Sequence, residues 1–498
     1  MGDGPRFEVS AGAARASRAD LLVLPMFEGP TLGPGGDEIG DALGVDLADV
    51  LRRNGVRGKP GDIFSLETFG RAASRSVLLV GIERGADDGA SGIREAAMRA
   101  GAAARPHARV ATTIPQLGSD VEGTASAFVE GFLIGAYRFD RHRSSAEPSR
   151  TDAVRLLVRA GSVAPARRGV EHGTIVGDAT NWARDLTNAP ASESTPAMLA
   201  DEARRMARPL GVACTVLTKS ALERGRFGGI LGVGAGSANE PRLVELSYRG
   251  AGRSRPIAIT GKGVTFDSGG LNVKRPSEMS WMRSDMAGAA AALATMRAIA
   301  ELGVRANVIA AVPFAENMSG AAAMRPGDVL RHRGGRTSEV IDTDAEGRLL
   351  LADALAYLSE KKPAAILDSA TLTDASGLGP DLWAVMGTDP GLVNEMLAAG
   401  VRAGEPGWEI PLWSRYRAAI DSTVADVKNL GDHDVDSAML AGLFLRDFVA
   451  DGVPWAHLDT GSSAWAEHPN GPWPEGATGA PTRAFVRFIE QRADRPGG

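Results

Sequence analysis

The chain has 498 residues, 44% of them apolar and 23% charged, with a formal net charge of -6 and a single cysteine, Cys214. That length suits two or three domains, and that composition is ordinary for a globular protein. The negative balance, with no long run of one sign, argues against a protein built mainly to bind nucleic acid, and a lone cysteine rules out an internal disulfide or a thiolate metal cluster.

Residues 1 to about 165 read as an α/β unit. Ala19–Phe27, Ser76–Ile82 and Arg109–Pro115 are short apolar runs of the kind that form buried strands, and Gly92–Arg105 and Glu122–Tyr137 have helical spacing. Asp140–Asp152, rich in Arg, Ser and Pro, predicts an exposed connection, and Ala153–Ala160 a last strand. The expected boundary divides the chain into an N-terminal domain, 1–165, and a larger domain, 166–498. No apolar run reaches the ~18 residues a membrane span needs. No basic stretch followed by an apolar core opens the chain, so the expected location is cytoplasmic, with no membrane partner.

Arg168–Leu186 predicts a long helix, ended by Asn188-Ala189-Pro190, because the position before proline resists the α region. Thr195-Pro196 predicts the N-cap and first turn of another helix, and Cys214–Thr218 a strand. Gly232-Val233-Gly234-Ala235-Gly236 lacks dinucleotide-loop spacing and precedes a strand-like run, Arg242–Tyr248, so a glycine turn between two strands is expected. Pro256–Thr260 is a strand, Asp285–Leu302 an alanine-rich helix, Asn307–Phe314 a strand, Glu346–Lys361 a helix and Ala364–Ala370 a strand. This alternation predicts a mostly parallel sheet covered by helices, with its site in the loops after the strand ends.

Those loops hold the chemistry. Gly261-Lys262-Gly263 leads through Asp267-Ser268-Gly269-Gly270 to Lys274, then to Met282-Arg283-Ser284-Asp285-Met286, and finally to Asp342-Thr343-Asp344-Ala345-Glu346-Gly347-Arg348-Leu349. Carboxylates gathered like this repel one another unless something positive lies between them, and hard divalent cations prefer oxygen ligands. Asp267, Asp285, Asp344 and Glu346 carry four negative charges, which match two divalent cations. Two such ions about 3.5–4 Å apart can share a water, lower its pKa and polarise a carbonyl. A buried lysine beside a dication can lose its proton and join the ligands, and a second, kept charged, can stabilise an oxyanion. Arg348 in a first helical turn makes an anion pocket with the free backbone N–H groups. Taken singly, each acid is most simply a helix cap or a surface ion pair, and Lys262 a solvated side chain; the signal lies in the ensemble. None of the seven histidines forms an H-E-x-x-H pair, and His332, in an Arg-Gly loop, is expected to be exposed.

At these residues the chain resembles the leucyl aminopeptidase (M17, cytosol aminopeptidase) family. The run Asp342–Leu349 is similar to its N-T-D-A-E-G-R-L signature, and Gly261–Lys274, Met282–Met286, Arg325–Asp328, Asn188–Pro190, Trp455–Asp459 and Gly476–Gly479 match it in order, over about residues 165 to 490. The resemblance implies a smaller, macro-domain-like N-terminal α/β domain and a larger C-terminal α/β catalytic domain. It implies an aminopeptidase that releases leucine or a similar residue from peptides with a free N-terminus, in a homohexamer, with two divalent metal ions per subunit, manganese or zinc. Asp267 and Glu346 would bridge the ions, Lys262 and Asp285 would complete one site, and Asp344 the other. Lys274 would polarise the scissile carbonyl, Arg348 would hold a bicarbonate acting as general base, and Met282 and Thr371 would line the pocket for the departing side chain.

Three positions depart from the family pattern. Asp342 replaces the usual Asn and adds a negative charge, Asp374 stands where Gly follows Thr-Leu-Thr, and Ala287 replaces the first Gly after Met286. Asp374 beside the pocket predicts an altered substrate preference. One competing reading is a binuclear phosphoesterase, disfavoured because such sites recruit histidine. Another is a DNA-binding regulatory relative with little peptidase activity, for which the interspersed acids around Arg138, Arg141 and Arg143 give poor support.

Overall fold

The protein is described by a computed structural model covering residues 4–83, 90–431 and 434–495. It forms two compact units, Met1–Asn181 with Pro469–Pro474, and Trp182–His468 with Glu475–Gly498. The long helix Val163–Asn188 stops at the residues before Pro190, as the proline requires.

The first unit holds a seven-stranded sheet in the order Arg6–Ala11, Ala153–Val158, Arg109–Thr112, Leu21–Phe27, Ser76–Gly81, Ile63–Glu67, with Thr31–Leu32 paired to Leu21–Phe27. Its first five strands run parallel, and Ile63–Glu67 is antiparallel to its neighbour. Side chains alternate between faces along a strand. Leu21 and Val23 therefore enter the core beneath the helices Ala90–Ala104 and Val121–Ala136, while Leu22 and Leu24 join Ile39, Leu43, Leu47 and Leu51 on the other face.

The second unit is built on a nine-stranded sheet in the order Gly407–Glu409, Trp383–Gly387, Trp455–Asp459, Ala365–Ala370, Ile257–Gly261, Asn307–Asn317, Arg242–Arg249, Ala213–Leu217, with Val264–Asp267 paired to Asn307–Asn317. The four central strands are parallel, and antiparallel neighbours flank them on both sides. Gly347–Glu360, Gly228–Val233 and Ser437–Arg446 cover one face, where Ala258, Ala311 and Ile366 meet Leu350, Leu351, Leu355 and Phe444.

The opposite face receives Ala287–Glu301, a helix whose small side chains are almost all buried. Two glycines set how close it comes. A Cβ on Gly261 would lie 2.1 Å from the Gly288 carbonyl oxygen, and one on Gly288 would lie 2.1 Å from that of Ser369. The helix therefore starts directly on two strand ends, which brings Asp285, just before it, beside Lys262, just after the strand Ile257–Gly261.

Two local expectations are corrected. The glycine stretch at 232–236 is not a turn between strands: residues Gly228–Val233 form a short helix, and Gly234–Gly236 a 3-10 turn, before the strand Arg242–Arg249. His332 is not exposed but fully buried; its Nε2 lies 2.7 Å from the Ser338 hydroxyl and its ring packs edge-on against Phe448.

Candidate active site

The turn after Val264–Asp267 is made by Gly269 and Gly270, at φ +82° and +68°, a left-handed pair that other residues adopt only with strain. It folds back so that Lys274 returns beside Asp267. Its Nζ lies 2.9 Å from Asp267 Oδ2 and 2.7 Å from Asp344 Oδ1. Lys262 reaches the other side of the cluster. Its Nζ lies 2.7 Å from Asp285 Oδ1 and 2.9 Å from Glu346 Oε1, and donates to the Thr371 carbonyl at 3.0 Å. The segment before the helix Gly347–Glu360 thus presents Asp344 toward one lysine and Glu346 toward the other.

Most of this is sequestered: Lys262, Asp267, Asp285, Glu346 and Arg348 are each at most 5% exposed, while the Asp344 side chain is a third exposed. Oxygens of Asp267, Asp344 and Glu346 approach one another within 4.8 Å. Burial pushes the carboxyls of Asp285, Glu346 and Asp344 upward, neighbouring carboxylates add to this, and Asp344 reaches about 7. Burial also pulls the Lys262 ammonium down, but Asp285, Glu346 and Asp267 outweigh it and the net shift is upward; Lys274 is raised the same way, chiefly by Asp267. Among the side chains alone Lys262 is therefore held charged, and its service as a neutral ligand would require a cation's field to reverse that balance.

The donor set fits a divalent cation. Glu346 Oε2 and Asp285 Oδ2 are buried with no donor, and Glu346 Oε1 and Asp344 Oδ1 have only the ammonium groups of Lys262 and Lys274 beside them. Buried carboxylate oxygens left without donors are costly unless a metal takes them. Hard oxygen donors with one amine suit Mn, Zn, Co or Mg.

The remaining expected residues fall around this cluster. Arg348 is buried on the first turn of its helix; Nη1 donates to the Asn429 carbonyl at 2.8 Å, and Nε has no hydrogen-bond partner. Burial pushes its guanidinium down to about 10, against the pull of Glu346, Asp459 and Asp342. A cavity of about 340 Å³ opens at Arg348, lined also by Leu430, Gly431, Asp434, Val435, Ser437 and Leu440. Thr371 donates from its hydroxyl to Asp285 Oδ1 at 2.7 Å, and Met282 is buried in the 3-10 turn Met282–Met286 that carries Asp285. Asp374 is exposed at the start of the 3-10 turn Ala375–Gly377. Asp342 accepts the Asp344 N–H on Oδ1 at 2.8 Å, a bond that the oxygen of an asparagine amide would make equally well. A larger cavity of about 730 Å³, lined by Arg333, Arg336, Arg446 and Asp447 among others, contains none of these residues, so chemistry rather than size locates the site.

Sequence reasoning gave no role to the residues that brace the site, although Asp459 lies in the run Trp455–Asp459 that matches the family. Asn317 touches Asp267 and the 342–346 segment, and Asn429 donates from Nδ2 to the carbonyls of Asp342 and Ala345. Asp459 accepts the N–H groups of Leu372, Thr373 and Gly461 and the Thr373 hydroxyl, and so fixes the loop that bears Thr371.

Comparison with known proteins agrees with this geometry. Residues 181–486 match the family model of the cytosol aminopeptidase catalytic domain, and residues 23–146 match that of the family's N-terminal domain. A probable cytosol aminopeptidase of Roseiflexus castenholzii is 39% identical over 97% of this chain and 99% of its own length. One from Streptomyces coelicolor is 38% identical over 97% of this chain and 98% of its own. Among solved structures, the bottromycin maturation enzyme BotP in complex with Mn superimposes with a TM-score of 0.84 at 34% identity, covering 96% of this chain and 100% of that one. A tomato leucine aminopeptidase mutant reaches 0.89 at 28% identity, covering 99% and 98%.

Fold, cluster and likeness together define a metalloaminopeptidase, a hydrolase of peptide bonds built from an N-terminal and a catalytic α/β domain. The chain belongs to the cytosol aminopeptidase family, M17.

Proposed function

We propose that this protein removes the N-terminal residue from peptides by metal-assisted hydrolysis at the cluster of Lys262, Asp267, Asp285, Asp344 and Glu346. The observation that carries this reading is the gathering of four carboxylates about two lysines, with buried Asp285 Oδ2 and Glu346 Oε2 left without any donor. Two divalent ions would be held there, Asp267 and Glu346 serving both, Lys262 and Asp285 one, and Asp344 the other. Such ions, when bound, make a water nucleophilic near neutral pH and polarise a carbonyl.

The protein's own groups supply the rest. Lys274, kept charged by Asp267 and Asp344, donates to the scissile carbonyl oxygen as negative charge develops on it. Arg348, on the cavity beside the cluster, would hold a bicarbonate, which would supply a base toward the attacking water. Met282 and Thr371 shape the pocket for the first side chain, and Asp374 stands at its rim. A substrate with a free N-terminus, a hexameric assembly and a cytoplasmic location complete the reading, and are supported by the family resemblance. No helix among the described residues is long and apolar enough to cross a membrane.

The test is hydrolysis of leucine p-nitroanilide by the protein as isolated, after chelation, and after adding back Mn²⁺ or Zn²⁺. Loss on chelation and recovery with metal is expected. No turnover under any metal, with two ions demonstrably bound, would overturn the peptidase reading.

A further inference from the structure

Asn317 is the last residue of the strand Asn307–Asn317 and is paired in register with Asp267 on the neighbouring strand. Its side chain is 1% exposed, and Nδ2 makes two hydrogen bonds, to Asp267 Oδ1 at 2.8 Å and to the Thr343 carbonyl at 3.0 Å. Both neighbours are acceptors only, so the amide has one possible orientation. One NH₂ group thus ties the first acidic segment to the last, across 76 residues of sequence.

The bond to Asp267 also decides which oxygen of that carboxylate is free. Oδ1 accepts the Gly269 N–H at 2.9 Å as well as the Asn317 amide, which fills its lone-pair directions. Oδ2 is left to face the cluster, where Lys274 lies 2.9 Å away. The other bond acts on the segment that carries Asp344 and Glu346. Thr343 is further held by donating its hydroxyl to the Gly269 carbonyl at 2.6 Å and its N–H to Asn272 Oδ1 at 3.1 Å, so the two segments are joined at several neighbouring points. The backbone carbonyl of Asn317 in turn accepts the N–H and hydroxyl of Ser268.

We propose that Asn317 is a positioning residue for cation binding: it rotates the Asp267 carboxylate so that Oδ2 points inward, and holds the 342–346 segment at the matching distance. This rests on the metal-assisted reading given above. Partners that orient metal ligands commonly contribute about 10–100-fold in metal affinity.

The experiment is calorimetric titration of Mn²⁺ into chelator-treated wild-type, Asn317→Ala and Asn317→Ser proteins, with thermal midpoints of the chelated forms recorded alongside. Serine keeps a donor too short to span both acceptors, and supplies a folded comparison if the alanine protein is insoluble. The expected result is a dissociation constant raised about 10–100-fold in both variants, partial recovery of leucine p-nitroanilide turnover at high Mn²⁺, and chelated midpoints within a few degrees of wild type. Wild-type Mn²⁺ affinity in a folded variant, whatever its midpoint, overturns the proposal while leaving the peptidase reading intact. Absence of Mn²⁺ binding by the wild-type protein would overturn that reading and this one together.

Discussion

A Cβ on Gly347 would lie 2.4 Å from Cε of Lys262 and 2.8 Å from its Nζ. The lysine stem therefore runs through space that only a glycine at the head of the helix Gly347–Glu360 leaves open. Gly347→Ala should damage the site, because the ammonium must move off Asp285 and Glu346. Displacements of about 1 Å at a reacting centre can cost ~100-fold. The expected outcome is a fall of that order in kcat/KM on leucine p-nitroanilide, with little change in thermal midpoint. A variant of wild-type activity would show that the Lys262 position is not needed.

Lys274 differs from Lys262 in its surroundings. It contacts Asp267 and Asp344, its side chain is 14% exposed, and it stands at the cluster's more open side, where Asp344 is a third exposed. Lys274→Met keeps the length and removes the charge. Loss of one donor to a developing oxyanion typically costs about 10²–10³-fold in kcat. We expect that loss, with KM within a few-fold and Mn²⁺ still bound. A parallel fall in metal affinity would instead place Lys274 among the groups that hold the cations.

Much of this was legible because the reactive residues are local in sequence. Asp342 to Arg348 lie in one run, Gly269-Gly270 announces its turn, and apolar runs mark the strands whose ends carry the site. What escaped was set by contacts distant along the chain. The strand predicted to end at Phe314 continues through Ala315 and Glu316 to Asn317, so the residue that meets Asp267 lay beyond its expected end. Had the strand been extended, the rule that sites gather at strand ends would have singled Asn317 out. Asn429 and Asp459 act on segments roughly 85 residues away, which no local pattern reveals. His332 looked solvated among arginines, yet Ser338, Asp353 and Phe448 enclose it. The helix Gly228–Val233 is too short and glycine-rich to show a period.

Asp374 is exposed beside the loop that bears Thr371, and Asp459 fixes that loop through Leu372 and Thr373. A carboxylate there favours an incoming cationic side chain, but through water and salt, so the effect is modest, about 0.2–1 kcal/mol. Asp374→Gly should lower the ratio of kcat/KM on lysine p-nitroanilide to that on leucine p-nitroanilide by about two- to five-fold, less so at high ionic strength. An unchanged ratio would mean that Asp374 faces away from the substrate.

Asp368 and His457 are directly paired on adjacent central strands and both are fully buried. His457 Nδ1 lies 2.5 Å from Asp368 Oδ1, and Trp455 Nε1 donates to Oδ2 at 2.6 Å. Burial pushes the imidazole down, but Asp368 outweighs it, with help from Asp459, and the net shift is upward. A group whose folded pKa is raised binds its proton more tightly in the native state. Its stabilisation is therefore complete below the unfolded value, about 6.5, and is lost as pH rises through the higher folded value. Asp368→Asn removes the charge that holds that proton, and breaking a buried pair at one partner costs about 3–5 kcal/mol. Thermal midpoints of the two proteins, measured from pH 5.5 to 9, should differ most below about pH 6.5 and converge as pH rises. A difference that is constant with pH would mean that His457 is neutral throughout, and that Asp368 serves only to accept hydrogen bonds from it and from Trp455.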